Sequence, residues 1–161
     1  MKKLMGILSV TASVASAASV VVACAKDLEY AEGFDDAKFL KSFPIMLGDD
    51  TGASNLDDCI EEGKLKRDFL DTKKSDSSPV SYSGTFISGN IDNIKSVFKG
   101  LDSLKNDENT AYILSVSGKK GKTSLVVYVI KLSGDANGFT SASSVYKHKI
   151  TIPAPEAKES N

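Results

Sequence analysis

Thr123-Ser124-Leu125-Val126-Val127-Tyr128-Val129-Ile130-Lys131-Leu132 is apolar on both sides when extended. Side chains alternate along a strand. Leu125, Val127 and Val129 therefore share one face, and Val126, Tyr128, Ile130 and Leu132 share the other. β-branched and aromatic residues favour the pleated state. A strand with two apolar faces belongs at the centre of a sheet, with cover above and below.

The flanking sequence supplies its neighbours. Tyr112, Leu114 and Val116 alternate in a preceding strand, joined through the turn Gly118-Lys119-Lys120-Gly121. Ser133 to Asn137 is a loop, and Val145 to Ile152 is the last strand. Pro153 and Pro155 end it, and residues 153–161 are expected as a disordered tail. Upstream, Val80, Tyr82, Gly84 and Phe86 alternate with polar residues as one strand. Asn90 then caps a predicted helix with the stripe Ile91, Ile94, Val97, Phe98, Leu101 and Leu104. The C-terminal half thus reads β-α-β-β-β.

The N-terminal half reads as helices. Asp35 to Phe43 has a cap and Phe39, Leu40 and Phe43 at helical spacing, and Pro44 stops it. Ser54 with Asp57 resembles a capping box, so a second helix is expected from there to Leu70, weakened by Gly63. These two helices are the expected second cover for the central strand. The expected fold is α+β: N-terminal helices, then a mostly antiparallel sheet with helices packed on it. The expected organisation is a leader over 1–23, a tether over 24–33, one domain over 34–152 and the tail.

The leader begins Met1-Lys2-Lys3 and continues with an apolar, small-residue run from Leu4 to Val22. Basic, apolar and small-residue regions in that order make a secretory signal. It closes on Val21-Val22-Ala23-Cys24. That ending resembles the bacterial lipobox, a branched apolar residue, a variable one and a small one before Cys. The resemblance implies a diacylglycerol thioether on Cys24, cleavage before it, and often a further acyl chain such as palmitate on the new N-terminus. An ordinary signal cut after Ala17 or Ala18, or an uncut span, leaves Cys24 unexplained. Ser9, Thr11, Ser13, Ser16 and Ser19 also interrupt the run as a permanent span. With Lys replacing Arg everywhere except Arg67, and no Trp, the leader looks like those of mollicute lipoproteins. That likeness covers about the first 25 residues. It implies a cell-membrane protein held by acyl chains at the extracytoplasmic face.

Of 161 residues, loss of 23 leaves 138, enough for one cored domain. Without Lys2 and Lys3 the remainder has 18 cationic and 21 acidic residues, a formal charge of −3. This balance gives no footprint for nucleic acid and no polybasic supplement to a lipid anchor. Cys59 is left as the single thiol, expected buried.

Candidate chemistry is sparse. Gly121-Lys122-Thr123 has the ending of a phosphate loop, but Val116 stands where its first Gly belongs and a strand follows. Asp135-Ala136-Asn137-Gly138 has part of a calcium loop's spacing but lacks the distal Glu, and reads as a turn. Asp49, Asp50, Asp57 and Asp58 read as a solvated loop and helix start. One Arg and one His argue against a nuclease. Cys59 at a helix start and His148 raise a cysteine-hydrolase alternative, and Asp58-Cys59 faintly resembles envelope cysteine peptidases. Those continue with Ser-Gly, whereas Ile60-Glu61 follow here. The lead reading is a non-enzymatic surface binding or interaction module without cofactor or metal. A small-ligand-binding component is the third reading, although 138 residues are too few for two lobes around a cleft.

Overall fold

The computed structural model describes residues 18–19, 25–43, 55–75 and 81–157. Most of the leader, Cys24, Pro44, Asp49, Asp50, Ser54 and the end of the tail lie outside the described residues. In chain order the strands are β1 (Ala18–Ser19), β2 (Lys26–Asp27), β3 (Ile60–Glu61), β4 (Lys64–Leu65), β5 (Lys73–Ser75), β6 (Ser81–Ser83), β7 (Thr85–Ser88), β8 (Thr110–Ser117), β9 (Ser124–Asp135) and β10 (Gly138–Thr151). Two seven-residue helices, α1 (Asp36–Ser42) and α2 (Ile91–Val97), and a 3-10 turn at Asp57–Cys59 complete the set.

The main sheet runs β2-β10-β9-β8-β7. β10-β9, β9-β8 and β8-β7 are antiparallel, and β2 lies parallel on β10. β9 is paired on both sides. Val129 faces Leu114 on β8 and Tyr146 on β10, and Val127 faces Val116 and His148. Its two faces also go to different cores. Leu125, Val127 and Val129 join the larger one with Leu114 and Val116, while Ile130 and Leu132 join a smaller one with Ala111, Ile113, Phe86 and Tyr82.

The α+β expectation is corrected: the structure is mostly β, 45% strand against 15% helical, with a mixed five-stranded sheet. Four local outcomes explain the difference. First, the segment expected as a helix from Ser54 to Leu70 is a 3-10 turn followed by the β3-β4 hairpin. Glu62 and Gly63 both take positive φ, 51° and 72°, the requirement of a tight hairpin turn. A helix there would satisfy its own backbone. Here Leu65 N–H donates to Lys122 O at 2.9 Å, Gly121 N–H donates to Leu65 O at 2.8 Å, and Phe69 N–H donates to Gly118 O at 2.8 Å. The hairpin is stitched to the β8-β9 turn instead. Leu56, Cys59, Leu65 and Phe69 still reach the larger core.

Second, α2 stops at Val97 although its apolar stripe continues. Residues 29–31 replace the helical partners: Ala31 N–H donates to Val97 O at 2.8 Å and Lys99 N–H donates to Glu29 O at 2.9 Å. Phe98, Leu101 and Leu104 are buried all the same, from an irregular segment. Third, the single strand expected over Val80 to Phe86 divides at Gly84 into β6 and β7, which lie in separate sheets. A Cβ at Gly84 would lie 2.9 Å from Thr72 Cα, so only glycine fits that crossing. Fourth, the second cover is not the N-terminal helices. Phe39 and Leu40 of α1 pack with Ile94 and Val97 of α2 in the larger core. Tyr82 of β6 packs in the smaller one.

Other expectations match what is seen. Asp35 caps α1 through its side chain, which accepts from Lys38 N–H at 2.8 Å, and Asn90 caps α2 from Asp92 and Asn93. Asp135 Oδ1 accepts from Asn137 N–H in the β9-β10 turn at 2.7 Å. Residues 25–33, read from sequence as a tether, belong to the fold. They supply β2, buried Leu28 and the bridge of Tyr30 to Phe98.

Phe98 tests this packing. Its ring is 2% exposed and stacks on Tyr30 at 5.4 Å between centroids. Phe98→Ala should cost about 3–5 kcal/mol in denaturant unfolding. Lys99→Ala, exposed and bonded only through its retained backbone N–H in the contact above, should stay within about 0.5 kcal/mol of the parent.

Candidate functional site

Leu28, Tyr30, Asp36 and His148 meet where the N-terminal segment crosses β10. The parallel pairing of Lys26 with Tyr146 and Asp27 with Lys147 brings the segment to the sheet edge. Leu28 N–H then donates to Lys147 O at 2.8 Å. Asp35 starts α1, so Asp36 sits in the first turn with its carboxylate turned back toward β10.

The Asp36 carboxylate is the hub. Tyr30 Oη donates to Oδ1 at 2.8 Å, Thr151 N–H donates to Oδ2 at 2.8 Å, and His148 Nε2 lies 3.5 Å from Oδ1. His148 Nδ1 lies 2.8 Å from Leu28 O. A carbonyl only accepts, so Nδ1 carries the proton in this contact. The imidazole also stacks at a tilt against Tyr30 at 4.4 Å and Phe98 at 5.7 Å between centroids. Burial raises the Tyr30 phenol above its ordinary value, and the bond to Asp36 raises it further.

This arrangement fastens chain segments together and leaves no nitrogen for proton transfer. In a working carboxylate-histidine pair one nitrogen faces the carboxylate and the other faces the reacting proton. Here the second nitrogen is held by Leu28. The sequence placed His148 on a face with Tyr146, Ile150 and Ile152, and the larger core holds Ile150 and Ile152 with Tyr146 packed against it. It could not show Leu28 and Asp36 as partners, because they lie 120 and 112 residues away.

Cys59 is not brought to His148 as a pair, since both ring nitrogens of His148 are engaged elsewhere. Its residue is 2% exposed in the larger core, and its carbonyl accepts from Lys66 N–H at 2.8 Å. Asp58 Oδ2 accepts from Asn55 N–H at 2.8 Å, tying the 3-10 turn to the chain just before it. Cys24, the expected lipidation site, lies outside the described residues.

A second feature escaped sequence reading. The β3-β4 hairpin and the β8-β9 turn place Lys64, Lys66 and Lys120 around an open hollow of about 290 Å³, with Glu61, Glu62, Leu65 and Gly121 completing its lining. Lys119 pairs with Asp68 at 3.8 Å beside it. The cations come from segments more than fifty residues apart, so neither run is conspicuous alone. Among the described residues there is no group of three His, Cys, Asp or Glu side chains placed to hold a metal, and no helix long and apolar enough to cross a membrane.

No family model, curated protein or solved structure matches the chain.

Two measurements probe these side chains. A phenol whose folded pKa is raised keeps its proton in the fold after the unfolded chain has lost it. Its contribution is whole below about pH 10 and declines as pH rises past that value. Tyr30→Phe should therefore lose stability less steeply than the parent above about pH 10 in urea titrations. Tyr82, Tyr112 and Tyr128, also raised by burial, act alike in both proteins. Separately, buried Cys59 should alkylate slowly in the native protein and quickly once denatured. His148→Ala should leave its labelling rate unchanged relative to the extent of local opening; a native rate that is fast and depends on the imidazole would revive the hydrolase alternative.

Proposed function

We propose that this protein is a surface lipoprotein, acylated on Cys24 and held at the extracytoplasmic face of the cell membrane as a non-enzymatic interaction module. The run Val21-Val22-Ala23-Cys24, following a basic and then apolar leader, carries this reading. A thioether-linked diacylglycerol contributes two acyl chains. At about 0.8 kcal/mol per buried methylene, one chain binds marginally and two hold firmly. The protein is then anchored without spanning.

The described residues support a display role in two ways. The imidazole of His148 is spent on structure, with Leu28 and Asp36 as its partners. The thiol of Cys59 is buried beside two glutamates in sequence, the reverse of the electropositive, accessible setting that makes a thiolate reactive. Cleavage before Cys24 would also remove β1, leaving β5 paired with β6 alone in its small sheet.

Mass spectrometry of the mature N-terminus should find diacylglycerol on Cys24. Cys24→Ala should block normal processing and leave the chain without the diacylglycerol. A mature chain that starts near Ala18 without lipid would overturn the reading.

A further inference from the structure

We propose that Asn137 is a site of spontaneous modification, at which the carboxamide is converted to a carboxylate through a cyclic imide formed with Gly138. The tip of the β9-β10 hairpin, Asp135-Ala136-Asn137-Gly138, then gains a negative charge as the protein ages. The Gly138 amide nitrogen attacks Asn137 Cγ and a new N–Cγ bond forms. The bond from Cγ to the carboxamide nitrogen breaks, and that nitrogen leaves as ammonia with the proton lost by Gly138. Water then opens the five-membered ring. Opening at Cγ gives aspartate on an unchanged main chain. Opening at the Asn137 main-chain carbonyl gives isoaspartate, with the main chain rerouted through the side chain. Water is the only co-reactant.

The hairpin tip leaves both reacting groups open. Asp135, Ala136 and Asn137 are exposed. Gly138 has no Cβ to shield its nitrogen, and a Cβ built there would meet nothing within 4 Å. Asp135 Oδ1 holds the Asn137 N–H at 2.7 Å, while the Asn137 carboxamide has no hydrogen bond among the described residues. Gly138 pairs with Asp135 as the last pair of the hairpin. Such a terminal pair opens locally at little cost, and opening frees the Gly138 nitrogen to reach Cγ.

The other described asparagines lack this combination, and none precedes a glycine. After Asn55, the Leu56 N–H donates to Phe43 O at 3.1 Å, and after Asn93, the Ile94 N–H donates to Asn90 O at 3.1 Å. The Oδ1 atoms of Asn90 and Asn106 are occupied by backbone N–H groups. Asn109 precedes the β-branched Thr110, whose side chain crowds the nitrogen. The two products also differ in their effect on the fold. Gly134 crosses so close to Gly138 that a Cβ on Gly134 would collide with the Gly138 carbonyl. Isoaspartate lengthens the main chain beside this crossing and presses on Phe139, which is buried in the smaller core. Aspartate adds only charge.

The test follows the full chain, folded and denatured, through incubation at physiological temperature and mildly alkaline pH. Proteolysis and mass spectrometry then locate each amide-to-acid exchange and separate aspartate from isoaspartate. In the folded protein Asn137 should convert several-fold faster than any other asparagine, with both acid isomers present. The rate should rise with pH, because the attacking amide must lose its proton. Asn137→Gln, which would need a larger ring, should stop the exchange at this position over the same period. Asn137→Asp should unfold in urea like the parent, whereas the isoaspartate fraction separated from aged protein should unfold at lower urea. An Asn137 that stays intact in the folded chain while the denatured chain converts would overturn the proposal. Conversion to aspartate without isoaspartate would also overturn it, since that outcome means direct hydrolysis and no ring.

Discussion

The two-sided burial of β9 is the constraint on which the rest of the structure depends. A strand with one apolar face needs one cover. β9 has Leu125, Val127 and Val129 on one face and Ile130 and Leu132 on the other, all buried. Fully burying such a side chain contributes about 1.5–3 kcal/mol, so leaving either face wet would forfeit several of these terms. Its backbone is equally demanding, since every N–H and C=O must find a partner away from water. β8 and β10 provide them along its length, and their own apolar residues extend the two faces that β9 begins.

Covering the larger face recruits most of the remaining chain. α1, the 3-10 turn, the β3-β4 hairpin, α2 and the irregular segment after it all contribute side chains to one cluster. The helices are short because they need not be stable alone. Seven residues are too few for a helix in isolation, and each here is secured by a side-chain cap and by apolar contacts below. The polar pair Thr72 and Ser115, joined at 2.8 Å, shows the same economy at the sheet's other edge, where Ser115 also donates to Thr85 O at 3.2 Å. These two buried hydroxyls are tolerable because they satisfy one another and the backbone.

The junction at Leu28, Tyr30, Asp36 and His148 joins the start of the folded chain to its last strand. Its chemistry has the components of a proton-transfer site, yet its connectivity is that of a clasp. Every polar atom drawn into it has a partner within the protein, and that partner lies on another segment. The clasp thereby links the proposed membrane anchor, two residues before β2, to the sheet.

The sequence by itself determined the existence of β8, β9 and β10, the two faces of β9, the caps Asp35 and Asn90, and the apolar residues that would be buried. These are properties of local period and of side chains acting on nearby backbone, so they survive without knowledge of partners. Only the tertiary structure decided how far each element runs. Phe98, Leu101 and Leu104 kept a helical spacing and were buried without a helix, because residues 29–31 competed for the backbone groups that α2 would have used. Leu56, Cys59, Leu65 and Phe69 were buried from a turn and a hairpin, because pairing with the β8-β9 turn satisfied that backbone from a distant segment. The hub at Asp36 and the gathering of Lys64 and Lys66 with Lys120 were settled in the same way. Burial follows from composition and pattern, whereas the choice of hydrogen-bonding partner depends on which distant segments the core draws together.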